Sequence, residues 1–352
     1  MARRQRIGVM TAGGDCPGLN AAIRAVALAG HRLHNWEVIG ILDGYEGLMK
    51  GATMELGPAE ARGLLHLGGT RLGSANRMNP FLCRFGAEGE MDCSPLVFKQ
   101  VEALGLDALI VIGGDGTLTI ARMLYDQGLP LVGIPKTIDN DINGTDTSIG
   151  FRTAVFIATE ALDRLHTTAE SHHRVMVLEV MGRNAGWIAA EAGVAGGADV
   201  ILIPEIPFDL DAVQAKIVDR NASGSRFTII VVAEGARPKP RASWERPTGP
   251  RRIGDAVAEA LQAANGLETR VTVLGHLQRG GSPLSFDRIL ASRFGVAAVE
   301  LVAREAFGQM VALRGREVRS IPLSEAVATP KLVDPQGELV RTAEALGISF
   351  GR

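Results

Sequence analysis

Seven short apolar runs, rich in Val and Ile, constrain this chain more than any other feature. They are RIGVMT from Arg6, WEVIGILD from Trp36, ALIVIGG from Ala108, LPLVGIPK from Leu129, RVMVLEVMG from Arg174, DVILIPE from Asp199 and FTIIVVAEGA from Phe227. Runs of this length that are apolar throughout suit strands covered on both faces, and the longer periodic stretches between them suit crossover helices. Amphipathic Leu19–Leu33, TIARMLYDQ from Thr119, a helix from about Asn184 and another near Asp211–Asp219 supply those crossovers. The expected class is α/β, two doubly wound lobes with mostly parallel sheets. A chain of 352 residues exceeds one typical core, which agrees with two lobes.

The bulk properties exclude several classes. A formal charge of −2 gives no attraction for nucleic acid or membrane, so any phosphate affinity has to come from locally clustered arginines. Cys16, Cys83 and Cys93 form no CxxC pair, which argues against a disulfide framework or a zinc site and suits a reducing cytosol. The apolar run in MARRQRIGVMTAGGD breaks at glycines, too early for a signal or a membrane span. The expectation is a soluble, cytoplasmic protein. Gly235–Arg252, with four prolines, is the clearest break in the pattern and reads as a surface loop or a phosphate-binding effector loop.

Open α/β sheets bind ligands beyond the carboxyl ends of their strands. After the first run comes TAGGDCPGLN, where Gly13 and Gly14 let backbone N–H groups approach an anion at the start of a helix near Gly18. The GxGxxG spacing is absent, which counts against a nicotinamide dehydrogenase. In GGDGT, Asp115 follows a β-type run between glycines, a setting for a carboxylate that holds Mg²⁺ on a polyphosphate. A glycine turn with Thr117 capping a helix is the structural alternative. PKTIDND sets Asp139 and Asp141 two residues apart, so that one can face a cation while the other accepts a hydroxyl proton; Asx turns are the alternative. Arg174, Met181–Arg183, Glu234, Arg270, His276 and Arg279 accompany the later runs, and arginine's planar fork suits phosphate. His276 reads equally as a core histidine.

TAGGDCPGLN, DGYEGL, GGTRLGSANR, GGDGT, PKTIDND, RVMVLEVMGR, VAEGA and ETRVTVLGHLQRGGSPLSFDRILASR, in order from about Ile7 to Arg293, together resemble the phosphofructokinase family. The resemblance implies phosphoryl transfer to the 1-hydroxyl of fructose 6-phosphate, with Mg²⁺ as cofactor. Asp139 matches the general base; Asp115 and Asp141 match acidic residues around Mg²⁺; Thr137 contacts the transferring group, and Lys136 stands beside it. Gly13, Tyr45, Gly114, Asp115, Gly116 and Thr117 match the donor site. Met181, Gly182, Arg183, Glu234, His276 and Arg279 match the sugar-phosphate site, and Arg174 and Arg270 match arginines that reach a neighbouring subunit's 6-phosphate. A homodimer or homotetramer with a shared active site follows from that last match. The nucleotide lobe is expected over 1–150 and 278–329, and the fructose 6-phosphate lobe over 151–277 and 330–352. Where the family usually reads GS(S/A)R, this chain reads GSANR, so Arg77 replaces the bridging arginine through a one-residue insertion, with Arg71 or no bridge as alternatives. Lipid and NAD kinases share GGDGT but not MGR, GHLQRGG and PKTIDND together. A non-catalytic sugar-phosphate sensor is disfavoured because Asp115, Asp139 and Asp141 all remain.

Two positions bear on the donor. Pyrophosphate-dependent members of the family typically pair aspartate at the position of Gly116 with lysine at that of Lys136, while many ATP enzymes have glycine at both. An aspartate at 116 would set a carboxylate against the α-phosphate of ATP, and two unit charges about 4 Å apart repel by roughly 4 kcal/mol at an effective dielectric of 20. Glycine removes that obstacle, and Lys136 neutralises phosphate in either donor. ATP is therefore the expected donor, with pyrophosphate the alternative. Gly116→Asp is expected to damage ATP use far more than pyrophosphate use in parallel rate measurements; equal losses would mean that position 116 does not read the donor.

Overall fold

Each of the seven apolar runs forms a strand, and five shorter or more polar segments complete the sheets. The computed structural model describes residues 4–75, 78–83, 89–240, 252–266 and 268–352. Its strands are β1 Arg6–Thr11, β2 Glu37–Ile41, β3 Thr53–Glu55, β4 Ala108–Gly113, β5 Leu131–Thr137 and β6 Ile149–Gly150. They continue with β7 Val175–Val180, β8 Val200–Leu202, β9 Thr228–Ala233, β10 Thr269–Val273, β11 Gln309–Arg314 and β12 Glu317–Pro322. The chain divides into two compact units: Met1–Thr137 with Asp141–Arg152 and Arg279–Pro330, and Ile138–Asn140 with Thr153–Gln278 and Lys331–Arg352.

The first unit carries a sheet in the order β12-β11-β5-β4-β1-β2-β3, with β6 paired to β5. Its centre is parallel, and β3 and β12 close the two edges antiparallel. Every residue of β4 and β5 is buried, as strands covered on both faces require. Met10, Ile41, Leu109, Val111, Leu118 and Leu124 belong to one core cluster of this unit. Helices Leu19–His34 and Ser285–Ala303 pack so closely that a Cβ on Gly295 would lie 2.5 Å from Ala25 Cβ and 3.1 Å from Ala22 O.

The second unit has a wholly parallel sheet in the order β10-β7-β9-β8. Val177, Leu202, Phe208, Ile230, Val257 and Leu261 form its core. The C-terminal stretch belongs to this unit, where Ser349 bridges to Val200 in parallel.

Two helices start away from where periodicity alone puts them. One runs over Asp115–Asp126, four residues earlier than Thr119, because extended Gly114 caps it and Asp115 already occupies its first turn. The other begins at Trp187 rather than Asn184, because Gly182 (φ +143°) and Arg183 (φ +57°) turn the chain in conformations no helix admits. Gly295→Val is expected to cost at least about 1–3 kcal/mol in urea unfolding, since the facing helix offers no flexible atom to yield. A change within 0.5 kcal/mol, the scatter of an ordinary surface substitution, would contradict this packing.

Candidate active site

In the first unit β5, β4 and β1 are adjacent, in register from Thr11 with Ile112 and from Gly113 with Pro135. Their carboxyl ends therefore deliver three segments to one edge: the turn Ala12–Asp15, the start of helix Asp115–Asp126, and Lys136–Thr137. Lys136 is 2 % exposed, and its ammonium donates to Ala12 O at 3.2 Å and also to Gly14 O. Gly13 has φ +81°, and a Cβ there would lie 3.1 Å from Thr117 Oγ1 and 3.7 Å from Lys136 Nζ. Gly113 is required for the same reason, because its Cβ would meet Thr117 Cγ2 at 2.2 Å. Thr117 thus lies inside the helix rather than capping it, and its carbonyl accepts the hydroxyl of buried Tyr45 at 2.9 Å. Burial pushes the Tyr45 phenol above its ordinary pKa, so it stays a neutral donor.

The result is an arrangement, made chiefly of backbone, whose chemistry suits an anion. The first N–H groups of a 12-residue helix are free of intrahelical partners, its dipole is positive at that end, and the Lys136 ammonium lies alongside. Gly116 is exposed in the first turn, and a Cβ built on it meets nothing within 4 Å. Arg279 belongs to this unit too; its guanidinium donates to Asp15 O at 3.1 Å and would lie 2.6 Å from a Cβ on Gly14. Thr137 is buried, and its carbonyl accepts from Ser148 Oγ at 2.7 Å. Cys16, in the same turn, bonds Ile149 O at 3.3 Å, and burial pushes its thiol up to about 12 against the opposing charge of Lys136. It is an inert packing residue.

In the second unit the loop after β7 is pinned at alternate positions. Met181 N–H donates to Gln278 Oε1 and Arg183 N–H to Glu234 Oε1, each at 2.8 Å, while Ala185 N–H closes a turn on Gly182 O at 2.9 Å. Gly182 has to be glycine: its φ is +143°, and a Cβ would lie 2.4 Å from Ala185 O. Arg183 and His276 are exposed, so His276 is no core residue. Asp139 is 7 % exposed and begins beyond Thr137, where the chain passes into this unit for three residues before Asp141 returns to the first.

Arg174 and Arg270 differ from the others. Arg174 precedes β7, and Arg270 is the second residue of β10, in register with Met176. They lie at the amino-terminal edge of the sheet, roughly 17 Å (Arg270) and roughly 23 Å (Arg174) along the strand from the Met181 loop at about 3.3 Å per residue. Both accompany their runs at the amino-terminal rather than the carboxyl end, which adjacency to a run does not by itself distinguish. Both bond Glu268, Arg174 at 2.8 Å, and hydrogen bonding to Arg174 followed by the charges of both arginines lowers the carboxyl's pKa.

Sequence reasoning missed Gln278, which is fully buried and accepts from Met181 N–H. Arg77 and Asn76 lie outside the described residues, while the alternative Arg71 donates its N–H to Asn20 Oδ1. Among the described residues no cluster of three or more His, Cys, Asp or Glu could hold a metal, and no helix is long and apolar enough to cross a membrane.

With this geometry the chain was compared with known proteins. The family model for phosphofructokinase matches residues 6–302. The chain is 53% identical over 352 residues to the ATP-dependent 6-phosphofructokinase of Chloroflexus aggregans, covering 99% of both chains. It superposes on Pichia pastoris phosphofructokinase in the T-state with a TM-score of 0.82 at 35% identity, covering 99% of this chain but 37% of that longer one. The pyrophosphate-dependent phosphofructokinase of Nitrosospira multiformis shares the fold, with a TM-score of 0.84 over 99% of this chain and 92% of that one, at 21% identity. The chain belongs to the phosphofructokinase family.

Lys136→Met is expected to lower stability by about 1–3 kcal/mol, because buried carbonyls lose their donor, and to weaken donor phosphate binding. Unchanged denaturation together with unchanged donor affinity would show that the ammonium ties nothing at this edge.

Proposed function

We propose that this protein is an ATP-dependent 6-phosphofructokinase, transferring the γ-phosphoryl group of MgATP to the 1-hydroxyl of fructose 6-phosphate. The observation that carries the reading is 53% identity, end to end, to a relative of that name, combined with open space at Gly116. A Cβ at 116 would meet no atom within 4 Å, so close packing does not demand glycine there, and the open space is consistent with room for a nucleotide.

The first unit binds the donor. Helix N–H groups at Asp115–Thr117, the glycines of the first turn and the Lys136 ammonium take the phosphates; Arg77 bridges donor and acceptor phosphates. Asp115 and Asp141 suit Mg²⁺, which takes one or two carboxylates plus phosphate oxygens and waters and so needs no larger protein cluster. When bound, the ion neutralises phosphate charge. Fructose 6-phosphate is taken by Met181, Gly182, Arg183, Glu234 and His276 of the second unit, with Arg279 of the first unit as a further fork. Asp139 accepts the proton of the 1-hydroxyl as that oxygen forms its bond to the γ-phosphorus. The bond from phosphorus to the β–γ bridging oxygen breaks, ADP leaves, and fructose 1,6-bisphosphate remains. Arg183, Lys136 and the hydroxyl of Thr137 hold the charge that gathers on the transferring group.

Arg174 and Arg270, at the amino-terminal edge and away from the Met181 loop, are read as serving a neighbouring subunit's 6-phosphate in a dimer or tetramer. A glycolytic role in the cytoplasm accompanies the reading. Asp139→Asn is expected to lower kcat by about 10²–10⁴-fold while fructose 6-phosphate still binds, measured by coupled assay and by calorimetry. Near-normal turnover would remove Asp139 from the base role.

A further inference from the structure

The Met181–Arg183 loop is not self-supporting. Arg183 is a non-glycine residue at φ +57°, a strained conformation kept only where its surroundings over-determine it. Gln278 holds Met181 and Glu234 holds Arg183. A third side-chain acceptor, the carboxylate of Glu205 just beyond β8, holds the far end of the loop. Its Oε1 accepts N–H from Gly186 and from Val333, both at 2.9 Å.

The surroundings of that carboxylate are built for it. A Cβ on Gly186 would lie 2.5 Å from Ile203 Cβ and 2.7 Å from Glu205 Oε2, so only glycine lets the backbone come this close. Gly186 also caps helix Trp187–Ala195, whose positive end favours an anion. Oε2 is buried and has no hydrogen-bond partner among the described residues, so the two N–H groups and the helix end compensate the charge. The next residue repeats the connection: Trp187 Nε1–H donates to Lys331 O at 2.9 Å, and the Lys331 ammonium lies 5.7 Å from the centre of the Trp187 ring. The segment 331–333 is therefore fastened twice to the base of the loop.

We propose that Glu205 is a positioning residue for Arg183, clamping the end of the Met181–Gly186 loop to the segment at Val333 through one shared carboxylate oxygen. The inference deepens the reading of Met181–Arg183 as the sugar-phosphate loop and rests on it. Without the clamp the positive-φ turn relaxes and the guanidinium loses its aim, whereas groups that bind the donor are untouched. Since a misplacement of about 1 Å can cost up to 10²-fold, a rise of about tenfold in KM for fructose 6-phosphate is the scale expected.

The test compares full-length wild type with Glu205→Ala, Glu205→Asp and Glu205→Gln, by steady-state kinetics in both substrates and by hydrogen exchange over residues 184–187 and 331–334. Glu205→Ala and the shortened Glu205→Asp should speed exchange in both segments together and raise KM for fructose 6-phosphate about tenfold, leaving KM for ATP within about twofold. Glu205→Gln keeps an acceptor oxygen in place and should restore KM for the sugar phosphate. If Glu205→Ala does not fold, Glu205→Asp carries the test. Unchanged KM for fructose 6-phosphate, or an equal rise for both substrates, overturns the positioning role. Arg183→Ala, run in parallel, separates the two failures. If it raises that KM and the Glu205 variants do not, the clamp is wrong. If it too leaves that KM unchanged, the reading of the loop itself is wrong.

Discussion

A buried ammonium needs replacements for the water it has lost, and the arrangement of the first unit follows from how Lys136 finds them. Leaving an ion of this kind uncompensated costs several kcal/mol even after the protein relaxes. At 2 % exposure the side chain turns back across the strand ends and donates to the carbonyls of Ala12 and Gly14. That contact binds the end of β5 to the turn after β1, with the helix from Asp115 rising beside them. Glycine at 113 is then obligatory, because Thr117 fills the space a side chain would need, and Gly13 takes up a positive φ beside the same threonine. Positive charge, a helix end and side-chain-free backbone converge on one edge, which is what a polyphosphate requires.

The second unit solves a different problem, the aiming of one exposed arginine. Its sheet is four-stranded and parallel, so its loops leave from a common carboxyl edge. Backbone N–H groups of the Met181 loop find side-chain acceptors at Gln278, Glu234 and Glu205, and each acceptor comes from a different part of the chain. A loop fixed through its own backbone leaves its side chains at liberty for a ligand. Arginines at the opposite edge share Glu268, so one small sheet carries arginines at both ends.

The strands were legible because Val- and Ile-rich runs without polar alternation have few other ways to be buried. Edge elements were not. β6 is two residues long, and β12 reads EVRSIP, with exposed charges alternating into a sheet edge. Much of the candidate donor edge could be read from GGDGT and TAGGD, but the helix start at Asp115 was hidden by glycines that mimic a loop. Arg183 gave no sign of its positive φ, since its side chain disfavours that conformation and tertiary contacts alone impose it. Gln278 and Glu205 were invisible for a related reason: each acts through a backbone N–H far away in sequence, and no local spacing records such a bond.

Gly116 and Lys136 point to different branches of one family, so the donor depends on which of the two dominates. The most direct measurement is the initial rate of fructose 1,6-bisphosphate formation by the unmodified protein, with Mg²⁺ and either ATP or pyrophosphate across a range of concentrations. If open space at Gly116 sets the donor, ATP gives the higher kcat/KM. A higher kcat/KM with pyrophosphate would mean that Lys136 and its surroundings outweigh the missing aspartate, and would contradict the assignment.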